Sequence, residues 1–441
     1  MNLINLAWKN IWRNKVRSGV ILGAIAIGLF SGTFLLAFID GWIIGTIKND
    51  IETQYAHVQI HDTDFLANYD INAHFQLSVV RDHLSTLETE NYTCTLYEVH
   101  SNLKTENWKL KTENWKLKTE NYNLKTSYRL NIMGMLASPY TAVGLSAKAV
   151  WEDEEKSVSD VWKHIPDTLG AFLTNDTRNA IVISQRIADK LKVRLRSRIV
   201  FTFQDAHGDM QSVAFRVGGI FKTSNAMFDE ANVFVRYTDI FGYTGLPDGA
   251  VHEVAIRLPD IETCNIVAPQ LKSMFPDMDV QDWRELNPAL ALTLTYTDFM
   301  GVIILGIFLL ALSFGIINTM LMAVLERTRE LGMLGAIGMS KRKIFNMIML
   351  ETVFLTLLGG IVGIILGIAV VLPTMETGID LGFFMGDQFE DFGFSSIIYP
   401  ILNVQMVVEI VVLVILAGIL SAIYPAKKAL KLKPLEAIRE V

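Results

Sequence analysis

Four long apolar runs lie at the two ends of the chain, one near the start and three near the finish, with about 260 mostly polar residues between the first and the second. Ser18 to Ile39 carries no charge over 22 residues, enough at about 1.5 Å per residue to cross a hydrocarbon core of about 30 Å. Phe299 to Leu325 is a second charge-free run. Thr352 to Met375 and Ile410 to Ala426 form the cores of a third and a fourth, introduced by Glu351 and Glu409. The pattern predicts a membrane α-helical protein with four transmembrane helices and a large α+β extracytoplasmic domain inserted between helices 1 and 2.

Charge sorts the connections. Lys9, Arg13, Lys15 and Arg17 precede the first run without an acidic residue, and Lys427, Lys428, Lys431, Lys433 and Arg439 follow the last. Between runs two and three stand Arg327, Arg329, Lys341, Arg342 and Lys343 against Glu326 and Glu330. The connection between runs three and four carries Glu376, Asp380, Asp387, Glu390 and Asp391 with no Lys or Arg. Positively charged loops stay in the cytoplasm, so both termini and the 326–344 loop are expected inside, with the acidic loop and the large domain outside. The expected division is 1–17 amphipathic helix, 18–45 first span, 46–290 outer domain, 291–325 second span, 326–344 cytoplasmic loop, 345–375 third span, 376–396 short outer loop, 397–426 fourth span and 427–441 tail.

The first run is longer than a signal-peptide core and lacks a small-x-small cleavage site, which favours a retained span. Leu3, Ile4, Ala7, Trp8, Ile11 and Trp12 recur at helical spacing ahead of it, as in a helix lying in the inner headgroup plane. The net charge of −7 is modest and the terminal basic residues serve topology, so nucleic acid is not an expected partner. Cys94 and Cys264 both fall in the outer domain and could pair in an oxidising compartment, though a lone pair this far apart in sequence argues for it only weakly. No cysteine after the first span suggests lipid anchoring.

In the outer domain, His57–Ile60, Ile181–Ile183, Ile199–Phe203, Val213–Val217, Val233–Val235 and Glu253–Leu258 have the composition of half-buried strands. Asp205 to Asp209 is a hairpin turn signal, and Ser184 is the expected N-cap of a short helix through Leu191. The acidic, Ser-containing stretch near 145–180 suggests a division into two lobes. Lys104–Leu110 reads KTENWKL, Lys111–Leu117 repeats it, and Lys118–Leu124 reads KTENYNL. Trp108 and Leu110 are two apart, and an odd period alternates faces on a strand, so neither helix nor strand gains a continuous apolar face; a duplication inserted in an exposed loop, within about 90–125, is the simpler account. His57 and His61 are four apart but read as ordinary surface histidines, so no metal site is expected. No G-x-S-x-G, H-E-x-x-H or paired-cysteine spacing suggests catalysis.

The sharpest local signal is ERTRELGMLGAIGMSKRKI, residues 326–344. Glu326, Arg327, Arg329, Glu330, Leu331, Met333 and Leu334 favour a helix, and Gly332, Gly335 and Gly338 at every third position would clear one stripe for close approach of another surface. Arg329 and Glu330 flank that stripe and Lys341 marks the return to the membrane. Within the spans, Gly28 and Gly32, and Gly359, Gly363 and Gly367, repeat every fourth residue and suit close helix packing, as do Ala417, Gly418, Ser421 and Ala422. No charged residue lies mid-span, which argues against an ion pathway.

The segment LMAVLERTRELGMLGAIGMSKRKIF from Leu321 to Phe345, the Glu351 and Leu357-Leu358-Gly359-Gly360 opening of the third run, the tail YPAKKALKLKPLEAIREV from Tyr424 and LAWKNIWRNKVRSG from Leu6 to Gly19 resemble the FtsX-like permease superfamily with a MacB-like periplasmic core, the type VII ABC transporters. The resemblance covers the chain except about 90–125. It implies a bacterial inner-membrane permease working as a homo- or heterodimer, driven by a cytoplasmic ABC ATPase dimer docked on Arg329, Glu330, Gly332, Gly335, Gly338 and Lys341, so that hydrolysis moves the outer domains by mechanotransmission. ATP-Mg would reside on that ATPase; the chain has no G-x-x-x-x-G-K-[ST] and is expected to bind no cofactor and to be no enzyme. Within the superfamily the chain looks most similar to the lipoprotein-releasing LolC and LolE branch. That branch implies a lipoprotein substrate, a periplasmic carrier, and acyl contacts from residues of Ser18–Ile39 and Phe299–Leu325. MacB-like efflux of peptides or drugs, and a non-transport mechanotransmitter acting on a periplasmic partner, are the alternatives.

Overall fold

The computed structural model describes residues 3–13, 15–89, 124–173, 178–382 and 396–430. The repeats at 104–123, and with them Cys94, lie outside the described residues. From the amino end come α1 (Leu3–Arg13), α2 (Lys15–Asp50), β1 (Val58–His61), α3 (Phe65–Asn68), β2 (Phe75–Gln76) and α4 (Leu77–Thr89). The middle holds β3 (Lys125–Ala137), β4 (Ala142–Val150), α5 (Glu152–Val158), β5 (Ala180–Ser184), α6 (Gln185–Leu191), β6 (Arg198–Gln204) and β7 (Met210–Phe221). Then follow α7 (Ala226–Ala231), β8 (Asn232–Arg236), α8 (Tyr237–Ile240), β9 (Ala250–Val251), β10 (Glu253–Arg257), α9 (Cys264–Met274), β11 (Asp279–Asp282) and α10 (Trp283–Leu286). The carboxyl part is α11 (Pro288–Glu326), α12 (Thr328–Ala336), α13 (Lys341–Thr377), β12 (Ile379–Asp380), β13 (Ile397–Ile398) and α14 (Val404–Leu430).

Two compact units result, one of the residues up to Thr46 together with those after Pro288, the other of Ile47–Pro288. In the first, α2, α11, α13 and α14 are each long and apolar enough to cross a membrane. Small residues set how closely they pack. A Cβ on Gly359 would lie 2.9 Å from Ile25 Cβ, on Gly363 2.6 Å from Ala26 O, and on Gly367 3.3 Å from Thr33, so the three glycines of α13 form a seam against α2. Gly28 and Gly32 of α2 instead face Leu312 and Phe308 of α11. Gly418 of α14 takes Thr356 of α13. The fourth helix starts at Val404 rather than 397, because Ile397 and Ile398 pair with Asp380 and Ile379 as a short two-stranded ribbon. α1 is helical as its spacing predicts; Ala7 and Ile11 are buried, while Ile4, Trp8 and Trp12 remain exposed along the adjoining edge of the same face.

The second unit is organised by a nine-stranded sheet in the order β11-β1-β10-β3-β4-β8-β5-β7-β6. β3 joins its parts: Lys125–Arg129 pair with β10, Arg129–Ala137 with β4, and Gly134–Ala137 also with β6. The last pairing closes β3, β4, β8, β5, β7 and β6 into a ring, which removes two sheet edges. Phe172, Phe221, Phe228 and Phe234 fill part of its core. Ser184 caps α6 by accepting from Ile187 N, and Asp205 accepts from His207 N and Asp209 N in the β6–β7 turn, as their sequence signals predict.

Three sequence expectations change here. The stretch 145–180 does not divide the domain: β4 and β5 belong to one sheet, and Glu155, in the acidic run, is 1% exposed because it pairs with Arg129. β3, β4 and β11 lie outside the predicted strands; buried Arg129, Asn131 and Lys148 interrupt the apolar alternation of β3 and β4, and β11 has one apolar residue, Val280. His57 and His61 are buried rather than on the surface. His61 faces Glu253 and His57 Nδ1 accepts from Leu258 N. No group of three or more potential metal ligands occurs among the described residues.

Candidate functional site

The chain changes direction between α11 and α13 through Arg327, α12 and a four-residue turn. α11 ends where Arg327 N bonds Val324 O at 3.2 Å, and α12 starts as Leu331 N bonds Arg327 O at 2.9 Å. Within α12, Leu331 is buried and Leu334 half-buried, so this edge faces the other helices of its unit. Arg329 and Met333 are exposed, and Ile337, 79% exposed, continues the same row because its N–H bonds Met333 O. A row at i, i+4 and i+8 is one helix face. α12 therefore presents a cation and two apolar side chains outward.

The turn is dictated by Gly338. Its φ is +100°, in the left-handed region that side chains disfavour, and Met339 N bonds back to Leu334 O at 3.0 Å; this is how a glycine ends a helix. Ser340 then opens α13 in extended conformation, its carbonyl accepting from Lys343 N and Ile344 N. Lys341, Arg342 and Lys343 are exposed in the first turn of α13. The macrodipole disfavours cations there, so helix stability does not explain them; membrane topology or a partner surface does.

Arg327 holds the corner together. Its Nη1 donates to Glu351 Oε1 at 3.0 Å and Oε2 at 3.3 Å, and its Nη2 donates to Asn10 O at 3.1 Å. The two side chains are 12% and 7% exposed. One guanidinium thus bonds α13 and α1 from the residue that precedes α12. A second ion pair, Arg13 with Glu330, joins α1 to α12 but is about half exposed on both sides. Trp8 meets Phe354 edge-on at 5.7 Å, and Ser18 Oγ donates to Ile11 O at 2.6 Å. Between α1, α12 and the adjoining ends of α11 and α13 lies a cavity of about 260 Å³, lined by Asn10, Arg13, Arg327, Glu330, Leu334 and Glu351 among others.

The residues singled out in sequence are not one stripe. Arg329 is exposed and Glu330 is tied to Arg13. Gly332 is buried, Gly335 lies within α12, and Gly338 lies beyond its end. At about 100° per residue a three-residue spacing drifts by about 60° at each step and leaves one face, and the left-handed turn removes Gly338 from the helix altogether. Sequence reasoning placed Arg327 among the loop charges and Glu351 at the head of a span without joining them. They are 24 residues apart, and no local period connects them. Met333 and Ile337 were legible as an i, i+4 apolar pair after Arg329.

A family model for the FtsX-like permease C-terminal region matches residues 302–434, which contain this corner and the helices on either side. Over these residues the chain is similar to the FtsX-like permease family. It is 24% identical over 314 residues, 68% of its length and 70% of the relative's, to an uncharacterized ABC transporter permease of Methanocaldococcus jannaschii. It is 37% identical over 125 residues to the macrolide export ATP-binding/permease protein MacB of Chlorobaculum tepidum, covering 28% of this chain and 16% of MacB. To YknZ, an uncharacterized ABC transporter permease of Bacillus subtilis, it is 36% identical over 136 residues, 31% of this chain and 30% of YknZ. Among solved structures, the periplasmic region of MacB from Actinobacillus actinomycetemcomitans aligns with TM-score 0.32 and 11% identity over 56% of this chain and 98% of that one.

Proposed function

We propose that this chain is the permease subunit of an ABC transporter, in which α12 docks on a separate cytoplasmic ABC ATPase and passes its motion to an extracytoplasmic domain formed by Ile47–Pro288. The observation that carries this reading is the exposed face of Arg329, Met333 and Ile337 on a short helix between two spans, beside three exposed cations that do nothing for their own helix. Apolar anchors with charged neighbours suit a groove on a soluble partner. The absence of a phosphate-cradling G-x-x-x-x-G-K-[ST] in the sequence fits a motor on another polypeptide, which would carry ATP-Mg. The charge of the loops supports a bacterial inner-membrane location with cytoplasmic termini and a periplasmic large domain. In the assembly a second permease, the same or a related chain, completes the dimer.

For the substrate we propose lipoproteins released from the inner membrane toward the outer membrane, with a periplasmic carrier. Spans without mid-membrane charge favour an amphipathic cargo that enters laterally. The similarity to MacB favours a second reading, export of peptides or drugs. Purified chain with its ATPase in lipid nanodiscs separates them. ATP-dependent release of a triacylated lipoprotein supports the first; ATP hydrolysis stimulated by peptides or macrolides, with indifference to lipoprotein, overturns it in favour of export. Orientation is read by labelling cysteines introduced one at a time at exposed Met210 and Ile337 in a Cys94→Ser background, native Cys264 being buried. Reaction of position 210 from the cytosol would defeat the whole arrangement.

A further inference from the structure

We infer that Arg327 is the positioning residue through which α12 moves α1 and α13 together. The inference rests on the docking role proposed for α12 and assigns its internal linkage. Arg327 is the one residue between the end of α11 and the start of α12, so its backbone is the point about which α12 swings. Its side chain reaches past that point, with two hydrogen bonds to the Glu351 carboxylate on α13 and one to the Asn10 carbonyl on α1. Arginine suits this task because its planar fork offers several donors at once, whereas a lysine would present a single ammonium.

Three further features make the corner a joint rather than a weld. The cavity of about 260 Å³ under α12 leaves room for the helix to move inward without compressing packed side chains. The other link between α1 and α12, Arg13 to Glu330, is about half exposed and easily exchanged for water. Gly338 supplies the turn at the opposite end of α12, so the helix hangs between a pinned end and a turn. A push on Met333 or Ile337 therefore reaches α13 and α1 together through the Arg327 guanidinium, beside the Trp8–Phe354 contact that already joins α1 to α13. α13 carries the glycine seam against α2, so movement of Glu351 passes onward within the same unit.

The test uses the full chain in lipid nanodiscs and two readouts. The first is amide hydrogen exchange of residues 3–13 and 328–336 without any ATPase. Arg327→Met is expected to speed exchange of both segments at least about tenfold, and Arg327→Lys to restore α12 more than α1, because one ammonium retains Glu351 and loses Asn10. The second is titration of the chain against its ABC ATPase. Here Arg327→Met is expected to leave the half-saturating concentration unchanged and to lower the maximal stimulation of ATP hydrolysis at least about tenfold, a split that a merely loosened docking face would not give. Unchanged exchange of α1 in Arg327→Met, or weakened docking with full maximal stimulation, overturns the inference. If wild-type chain neither binds nor stimulates an ABC ATPase, the docking role itself fails, while the exchange experiment still reads the linkage. Should Arg327→Met fail to fold, Arg327→Lys decides by the same two measurements.

Discussion

Arg129 and Arg327 each gather three chain segments, and they do it in different ways. Arg129 is 1% exposed and satisfied by two carboxylates: Nε and Nη2 donate to Glu155 at 2.8 Å, and Nη1 to Glu253 at 2.6 Å. Ser127 and Asn131 donate to the same carboxylates. It sits where β3 passes from β10 to β4, so the network fixes a strand exchange. Although burial pushes it the other way, the Arg129 guanidinium, with Lys148, holds the Glu253 carboxyl down at about 2. Arg327 has one carboxylate, one backbone carbonyl, partial exposure and a cavity alongside. A fully enclosed network specifies one structure; a partly open one tolerates rearrangement.

The largest expected effect breaks the enclosed side of this comparison. Arg129→Met leaves two carboxylates buried without their cation, and the Ile47–Pro288 unit should lose about 3–5 kcal/mol or fail to fold, read as the shift in its denaturant midpoint. If it loses less than the exposed-pair range of about 1 kcal/mol, the network is not what fixes the β3 exchange.

His57 sharpens the same contrast with pH. Burial first, then Arg257 nearby, lowers its pKa from 6.5 to about 4, and its Nδ1 accepts from Leu258 N, which only the neutral ring can do. Between those values the unfolded chain binds the extra proton. The contribution is therefore complete above pH 6.5 and is lost as pH falls toward 4, amounting to up to about 3 kcal/mol. His57→Gln should flatten this part of the stability–pH profile relative to wild type; equal slopes would remove the assignment.

Gly363→Leu places side-chain atoms where Ala26 O and Leu29 already stand, and a backbone carbonyl cannot swing aside. We expect a loss of about 1–3 kcal/mol from overpacking, seen as a lower unfolding temperature in detergent. A Cβ on Gly315 would meet nothing within 4 Å, so Gly315→Leu should change little. The smallest effect belongs to Arg13→Gln, which removes an exposed pair worth about 0–1 kcal/mol. Were it to match Arg327→Met in loosening α1, the pin would have to be reassigned to Arg13.

Much of the architecture was legible because lipid and water impose one-dimensional rules. Charge-free runs mark α2, α11, α13 and α14, and period-2 patterning marks β1, β5, β6, β7, β8 and β10. Of the strands that escaped, β3 carries the buried Arg129 and Asn131 and β4 the buried Lys148, while β11 offers only Val280 as an apolar signal. α12 was legible as a helix, but its glycines were read as equivalent. Gly338 terminates the helix, Gly332 packs inward, and the outward face is carried by Arg329, Met333 and Ile337.

The amino-acid sequence by itself determined how many spans there are, where the large domain is inserted, and which segment joins the second and third spans. Each of those follows from local hydropathy, length and charge, which act residue by residue. Only the tertiary structure decided that Arg327 meets Glu351 and Asn10, that Arg129 meets Glu155 and Glu253, and that β3 closes on β6. These partners are 24 to 317 residues apart in the two ion networks, and a charge buried with its counter-charge leaves no periodic trace in the chain that encodes it.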